Sequence, residues 1–323
     1  MLLVINMNNP FTNSNTNKRY YTYDYYLKTK YNSKVFKVAL DAGFTCPNRD
    51  GKVGTGGCYF CSSQGSGDFA GSRLDSLTEQ FEKVKALMHQ KWPVAKYIAY
   101  FQAFSNTYAD VSVLKEKFEL FVNKENVVGL AIATRPDCFN VEIFDYIEDL
   151  NKRTDLIIEL GLQTIHDDVA EFFNRGYNFD KFLETYNELK KRNIKVLVHL
   201  INGLPHETKE MMLENAKVIG KLQPWGIKIH SLYVVKNTRF ATLYEKEPFT
   251  IMSKEEYVEL AAKQLEVLPP SCVIERLSGD GKIDDLIAPL WSIKKVSLLN
   301  DIDKYQVENN TYQGKYFTCN QKS

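Results

Sequence analysis

Apolar residues recur along this chain in two alternating rhythms. Short runs that are apolar almost throughout fall at 35–40 (VFKVAL), 97–102 (YIAYFQ), 127–134 (VVGLAIAT), 156–163 (LIIELGLQ), 196–202 (VLVHLIN) and 227–235 (IKIHSLYVV). Between them lie stretches whose apolar residues return every three or four positions, at 77–90, 112–124, 141–153, 179–193 and 209–223. The first rhythm predicts strands and the second predicts helices with one apolar face. Phe81, Val84, Leu87 and Met88 share such a face. Strand and helix alternating in series predict an α/β protein with a parallel sheet and outer helices, closed as a barrel or left open as a doubly wound sheet.

The flanks read differently. Residues 1–19 are rich in Asn and Thr and are expected to be poorly ordered. The tyrosine-rich stretch 19–31 is expected to cap the barrel mouth, or else to offer a stacking platform for bases. After Val235 the alternation ends. Ser253 with Glu256 forms a capping-box pattern, opening a helix that stops at Pro269-Pro270. The run 272–281 predicts one more strand ending in a Gly-Asp-Gly turn, and 282–323 is a mixed tail. The expected division is therefore an N-terminal segment 1–19, a core 20–235 and a C-terminal extension 236–323 packed on it.

Charge narrows the function little, since 41 basic and 40 acidic residues leave a net +1. Only a local patch could favour nucleic acid; Lys190-Lys191-Arg192 and Lys294-Lys295, near Trp291, are the two candidates. No apolar run approaches a membrane span, and MLLVINMNNPF is too short and polar for a signal peptide. Six cysteines without a secretory signal predict a reducing cytoplasm with free or metal-bound thiols.

Three of those cysteines carry the chemistry. Cys46, Cys58 and Cys61 share one glycine-rich loop, DAGFTCPNRDGKVGTGGCYFCSSQGSG (41–67), ending in a C-x-x-C pair. The others, Cys138, Cys272 and Cys319, stand alone. Three thiolates can hold an iron–sulfur cluster with one open corner, a zinc ion with a remote fourth ligand, or a redox pair.

The loop and its successors resemble the radical S-adenosylmethionine (SAM) enzymes. They are most similar to the YhcC/YtqA type and to the radical domain of the Elongator catalytic subunit. The resemblance rests on DAGFTCPNRDG (41–51), GGCYFC (56–61), YFQAFSNTYA (100–109), ATRPDCF (133–139), ELGLQT (159–164), NRG (174–176) and HLINGLP (199–205). It runs from about residue 20 to about 280. Eleven residues separate Cys46 from Cys58, where the common radical-enzyme loop has three; the long spacing marks this subgroup.

The resemblance implies a partial (β/α)6 TIM-like barrel with a C-terminal α/β extension, and a 4Fe-4S cluster on Cys46, Cys58 and Cys61. It also implies that the fourth iron takes SAM and that a 5′-deoxyadenosyl radical abstracts hydrogen. Cofactor contacts are expected from Gln102, Ser105, Asn106 and Thr107 after strand two, Thr134 after strand three, Gln163 after strand four, and Arg175, assigned to the methionyl carboxylate. All follow strand C-termini, where barrel sites gather. His199 and His230 alternate with apolar residues and read first as interior histidines. The implied substrate is transfer RNA at the wobble-uridine side chain, for instance carboxymethylaminomethyl processing, with an electron donor such as flavodoxin or ferredoxin. No room is expected for Elongator's acetyltransferase domain, and no acetyl transfer. A radical enzyme acting on a small molecule or protein side chain, and a non-catalytic zinc-bearing RNA-binding module, are the alternatives.

Overall fold

The computed structural model describes residues 9–65, 67, 69–279 and 281–318. A helix α1 (Tyr23–Tyr31) leads into β1 (Val35–Leu40), and the units α2 (Leu77–His89), β2 (Lys96–Phe101), α3 (Val111–Phe118), β3 (Val127–Thr134), α4 (Val141–Arg153) and β4 (Leu156–Gln163) follow. Then come α5 (Asp167–Phe172), α6 (Phe179–Lys191), β5 (Lys195–Asn202), α7 (Lys209–Leu222) and β6 (Gly226–Ser231). The C-terminal part comprises β7 (Val234–Val235), α8 (Arg239–Lys246), α9 (Lys254–Glu266), β8 (Val273–Arg276), β9 (Leu286–Ala288) and α10 (Lys295–Glu308).

The strands form one parallel sheet in the order β1-β2-β3-β4-β5-β6-β8, the curled partial barrel expected, with a seventh strand added at one edge. The run 227–235 does not stay one strand. It turns at Leu232-Tyr233, and β7 leaves the sheet to pair antiparallel with β9. Helix α3 ends early in a 3-10 turn at Glu119–Phe121, and α5 has too few residues to show a helical period. Ser253 and Glu256 form the expected capping box on α9, and Ser76 with Glu79 forms another on α2.

Period-two alternation sorts the strand side chains into two layers. On β2, Tyr97, Ala99 and Phe101 face the helices, whereas Ile98 and Tyr100 join an inner cluster with Val35, Ala131, Ile157 and Leu197. That inner cluster is completed by Leu27 of α1, with Tyr23, Tyr26, Tyr31 and Trp225 against it. Tyr26 meets Trp225 with ring centres 5.1 Å apart, Tyr31 Oη donates to the Val128 carbonyl at 3.3 Å, and Lys30 pairs with Asp155 at 2.6 Å. Val128, Asp155 and Trp225 all stand within one residue of a strand start, so the tyrosine-rich helix closes the N-terminal end of the barrel. It lies opposite the expected mouth, and its rings are spent on packing rather than on an open stacking platform. Within residues 9–19, Phe11 and Arg19 are buried.

Candidate active site

The inward positions read as layers from the closed end upward. The apolar plug (Val35, Ile98, Ile157, Leu197) is followed two residues on by Lys37, Tyr100, Glu159 and His199. Lys228, whose neighbour in register is His199, stands at the same height. Above these the strands deliver Gly161, Gln163, Ile201 and His230 to a cavity of ≈ 380 Å³, and the loop after β1 roofs it with Cys46, Cys58 and Cys61. One cavity thus joins the three thiols to a polar floor.

The cysteine loop is held by named bonds. The Asn48 amide donates to the Asn174 carbonyl at 2.5 Å and lies 3.8 Å from Cys58 Sγ. Asn174 Nδ2 donates to the Gly57 carbonyl at 2.9 Å, and Tyr59 N donates to the Phe173 carbonyl at 3.0 Å. Arg49 Nη2 donates to the Ser62 carbonyl at 2.5 Å. Gly57 sits at φ +77°, which favours glycine, and a Cβ there would stand 2.9 Å from Arg49 Nε and press on that side chain. Asp41 and Asp50 shape the loop through bonds from the Gly43 and Lys52 N–H groups at 2.9 and 3.1 Å.

Of the residues expected to contact cofactor, Gln102, Ser105, Thr134 and Gln163 line the cavity with the cysteines. Gln163 ends β4 at φ +68°, and its Oε1 accepts from Tyr177 Oη at 3.2 Å. Asn106 and Thr107 are fully buried behind the wall. Asn106 Nδ2 serves the carbonyls of Phe101, Ala103 and Ala133, and the Thr107 hydroxyl meets that of Thr134 at 2.6 Å.

Arg175 is placed differently from the expectation. Its side chain is fully buried and does not line the cavity. Nη1 donates to the carbonyls of Leu162 and Thr164 at 2.7 and 2.6 Å, Nε to that of Tyr177 at 2.8 Å, and Nη2 to Asp167 at 2.9 Å. The fork ties the segment after β4 to itself. Arg49, Arg135 and Arg276 do line the cavity; Arg135 is held bidentately by Asp137 at 2.8 and 2.7 Å and donates to the Arg175 carbonyl at 2.9 Å. The Arg135 and Arg175 guanidinia both stack on the Tyr177 ring, at 4.7 and 4.6 Å from its centre. ATRPDCF contained Arg135, but sequence offered no reason to prefer it to Arg175.

The floor was missed as a unit. Glu159 is fully buried and accepts from Lys37, from Lys228 at 2.5 Å, from Tyr100 Oη at 2.9 Å and from His199 Nε2 at 2.8 Å. Glu275 accepts from Lys37 at 2.7 and 2.8 Å and meets Lys228 at 3.0 Å. Burial alone would raise the Glu159 carboxyl, but Lys228 and Lys37 hold it well below the carboxylate range. Charges inside apolar strands, single in VFKVAL, LIIELGLQ and GIKIHS and paired in VIER, were the available signal.

The donor set distinguishes between its possible occupants. Among the described residues no three His, Cys, Asp or Glu side chains converge on a single ion position. A closed zinc site needs four ligands on one ion, whereas a 4Fe-4S cluster gives each thiolate its own iron, so its sulfurs need not converge. Cys58 and Cys61 are hydrogen-bond neighbours, and that contact with burial pushes the Cys58 thiol up when no metal takes its proton. Cys138 and Cys272 are buried and outside the cavity lining, and Cys319 lies outside the described residues. The three half-buried thiols therefore fit a cluster with one open corner.

Comparison with known proteins decides the family. Residues 49–219 match the family described as the Radical SAM superfamily, and 224–308 match the Radical_SAM C-terminal domain. The chain belongs to the radical SAM superfamily. It is a radical SAM enzyme, and the cofactors of this family are a 4Fe-4S cluster and S-adenosylmethionine. The chain is 51% identical over 310 residues to the uncharacterized protein YtqA of Bacillus subtilis, covering 96% of each. It is 26% identical over 215 residues to the tRNA uridine(34) acetyltransferase of Methanocaldococcus jannaschii, covering 65% of this chain and 38% of that one. Among solved structures, the archaeal Elp3 of Methanocaldococcus infernus superposes with a TM-score of 0.67 at 18% identity, covering 87% of this chain and 64% of that one. The radical SAM barrel is thus shared with Elp3, of which this chain spans less than two thirds. No helix among the described residues is long and apolar enough to cross a membrane. Of the two basic candidates, Arg192 is tied to Asp145, Glu148 and Glu188 at 2.7–2.8 Å, whereas Lys294 is exposed.

Proposed function

We propose that this radical SAM enzyme modifies transfer RNA at the side chain of the wobble uridine, by hydrogen abstraction from an unactivated carbon. The observation that carries the reading is the similarity over 215 residues to a tRNA uridine(34) enzyme. The matched relative is named for acetyl transfer, and only its nucleic-acid substrate is drawn on here.

Cys46, Cys58 and Cys61 would each hold one iron. When bound, the cluster and SAM supply one-electron cleavage of a carbon–sulfur bond, giving methionine and a 5′-deoxyadenosyl radical; an external donor of the flavodoxin or ferredoxin kind would provide the electron. The chain's part is to bind, orient and shield. Gln102, Ser105, Thr134 and Gln163 are the polar cavity groups for the amino, carboxylate and ribose groups of SAM. Arg135 replaces Arg175 as the guanidinium for the carboxylate, because, of the two, it is the one that opens on the cavity, which Arg49 and Arg276 also line. Asn106, Thr107 and Arg175 act one layer back, fixing the loops that carry those groups. Phe60, Phe104 and Leu232 line the same cavity and keep water from it.

The test is the modified-nucleoside profile of transfer RNA from cells with and without the gene. A uridine-34 nucleoside that changes supports the reading. An unchanged profile, together with 5′-deoxyadenosine formation by the purified enzyme, moves the substrate to a small molecule or protein side chain.

A further inference from the structure

Two histidines of the cavity floor have ring nitrogens that no hydrogen bond among the described residues reaches. His199 Nε2 meets the ionised Glu159 carboxylate at 2.8 Å, which makes it the donor and leaves Nδ1 as the bare acceptor. The His199 side chain is 20% exposed, and the exposure is to the cavity it lines. His230, two strand positions above Lys228, has its ring centre 5.6 Å from that of His199. No hydrogen bond within the described residues reaches His199 Nδ1 or either nitrogen of His230, yet none of the three is among the sealed, unpartnered polar atoms. They open on the cavity.

The surroundings select what could meet them. Glu159 and Glu275 are already engaged by Lys37 and Lys228, so they have little left to offer a cationic ligand. Burial and then Lys228 lower the His199 pKa, and burial and then Arg276 lower that of His230. Both rings are neutral near pH 7. A neutral imidazole accepts a hydrogen bond without bringing charge into a buried site.

We propose that His199 and His230 form a substrate subsite on the cavity floor that takes a neutral N–H- or O–H-donating group, such as an amide, a hydroxyl or the edge of a base. Glu159 positions His199 by fixing its tautomer, and Lys37 and Lys228 keep Glu159 charged. The subsite rests on the reading of this cavity as the place where the radical is made, because it puts the donating group across the cavity from the cysteine loop.

The test uses the anaerobically reconstituted holoenzyme, labelled with 15N-histidine and titrated with acetamide and with acetate. The two probes share a shape; one is a neutral N–H donor, the other an anion. Acetamide is expected to move the His199 and His230 ring resonances saturably, and acetate at equal concentration is not. His230→Ala is expected to weaken acetamide binding at His199 about fivefold, the equivalent of one ordinary hydrogen bond. His199→Asn, read at His230, makes the same comparison should the first variant fold poorly. The proposal is overturned if acetate moves the rings and acetamide does not, if neither probe gives a saturable shift, or if the variants bind acetamide as the wild type does. Formation of 5′-deoxyadenosine by the same wild-type preparation reports on the cavity reading separately: its failure with the acetamide shifts intact would remove the radical assignment and leave the subsite standing.

Discussion

Replacing Arg175 by Ala separates two roles that the sequence could not. As a cofactor ligand, Arg175 would be dispensable for folding and needed for SAM. The structure instead gives it three backbone carbonyls and Asp167, with no exposure. Arg175→Ala strips the carbonyls of Thr164 and Tyr177 of their donor, whereas that of Leu162 keeps the Thr164 N–H at 2.9 Å. Each orphaned buried acceptor costs about 1–3 kcal/mol, and partial entry of water brings the expected total to about 4 kcal/mol. Asp167 is half exposed and adds little. With about 2.1 cal/mol/K of unfolding entropy per residue, a chain of 323 residues should lose about 6 °C in Tm. The assay is thermal unfolding followed by circular dichroism, paired with equilibrium dialysis of SAM into the reconstituted protein. Arg135→Ala is the control, expected to weaken SAM binding at least tenfold with the smaller loss of Tm. An Arg175→Ala protein that melts with the wild type and binds SAM tenfold more weakly would refute the reasoning and restore the first assignment.

Three further outcomes are expected. Cys58→Ala should abolish cluster assembly, read as loss of the brown absorbance near 400 nm (about where thiolate-ligated clusters absorb) and of bound iron. Gly57→Ala must adopt φ +77° with its Cβ 2.9 Å from Arg49 Nε; it should cost about 1–2 kcal/mol from the left-handed backbone alone and lower the iron bound after reconstitution, while iron loading equal to wild type would count against the clamp. The third concerns Glu207, which accepts from Thr164 and Asn215 at 2.7 Å and is pushed by burial from an ordinary 4.5 to about 7. A raised folded-state pKa means that the protonated form is favoured in the fold. The stabilisation is complete below about pH 4.5 and is lost as pH rises to about 7, a swing of about 3 kcal/mol at about 1.4 kcal/mol per tenfold change in proton affinity. Glu207→Gln should therefore flatten the pH dependence of denaturant stability between pH 5 and 7 and be the more stable protein at pH 8; an unchanged slope would remove the assignment.

Local information was enough for much of this molecule. Strands β1, β3 and β4 and helix α4 lie where their apolar periods put them, because each is long and buries a regular face. The cysteine spacing and the motif positions after successive strands pointed to one end of one sheet for a similar reason: in a parallel α/β series every strand ends on the same side. Elements of few residues or changed direction were less legible. α5 is six residues long, and the break between β6 and β7 depends on β9, more than fifty residues away.

Side-chain direction was decided by tertiary structure alone. Asn106, Thr107 and Arg175 belong to motifs as compelling as those of Gln102 and Thr134, yet they point into the wall, where Asn106 and Arg175 donate to buried carbonyls and Thr107 meets the Thr134 hydroxyl. The tyrosines of α1 closed the N-terminal end of the barrel because the apolar inner ends of Val35, Ile98, Ile157 and Leu197 needed covering there. Lys37, Glu159, Lys228 and Glu275 lie far apart along the chain, separated by up to 238 positions. Closing the sheet brought them within bonding distance, and only that proximity makes their burial tolerable and turns them into the floor of a site. Chain order could name the chemistry of the cysteine loop; which groups face it across the cavity was settled by the curl of the sheet.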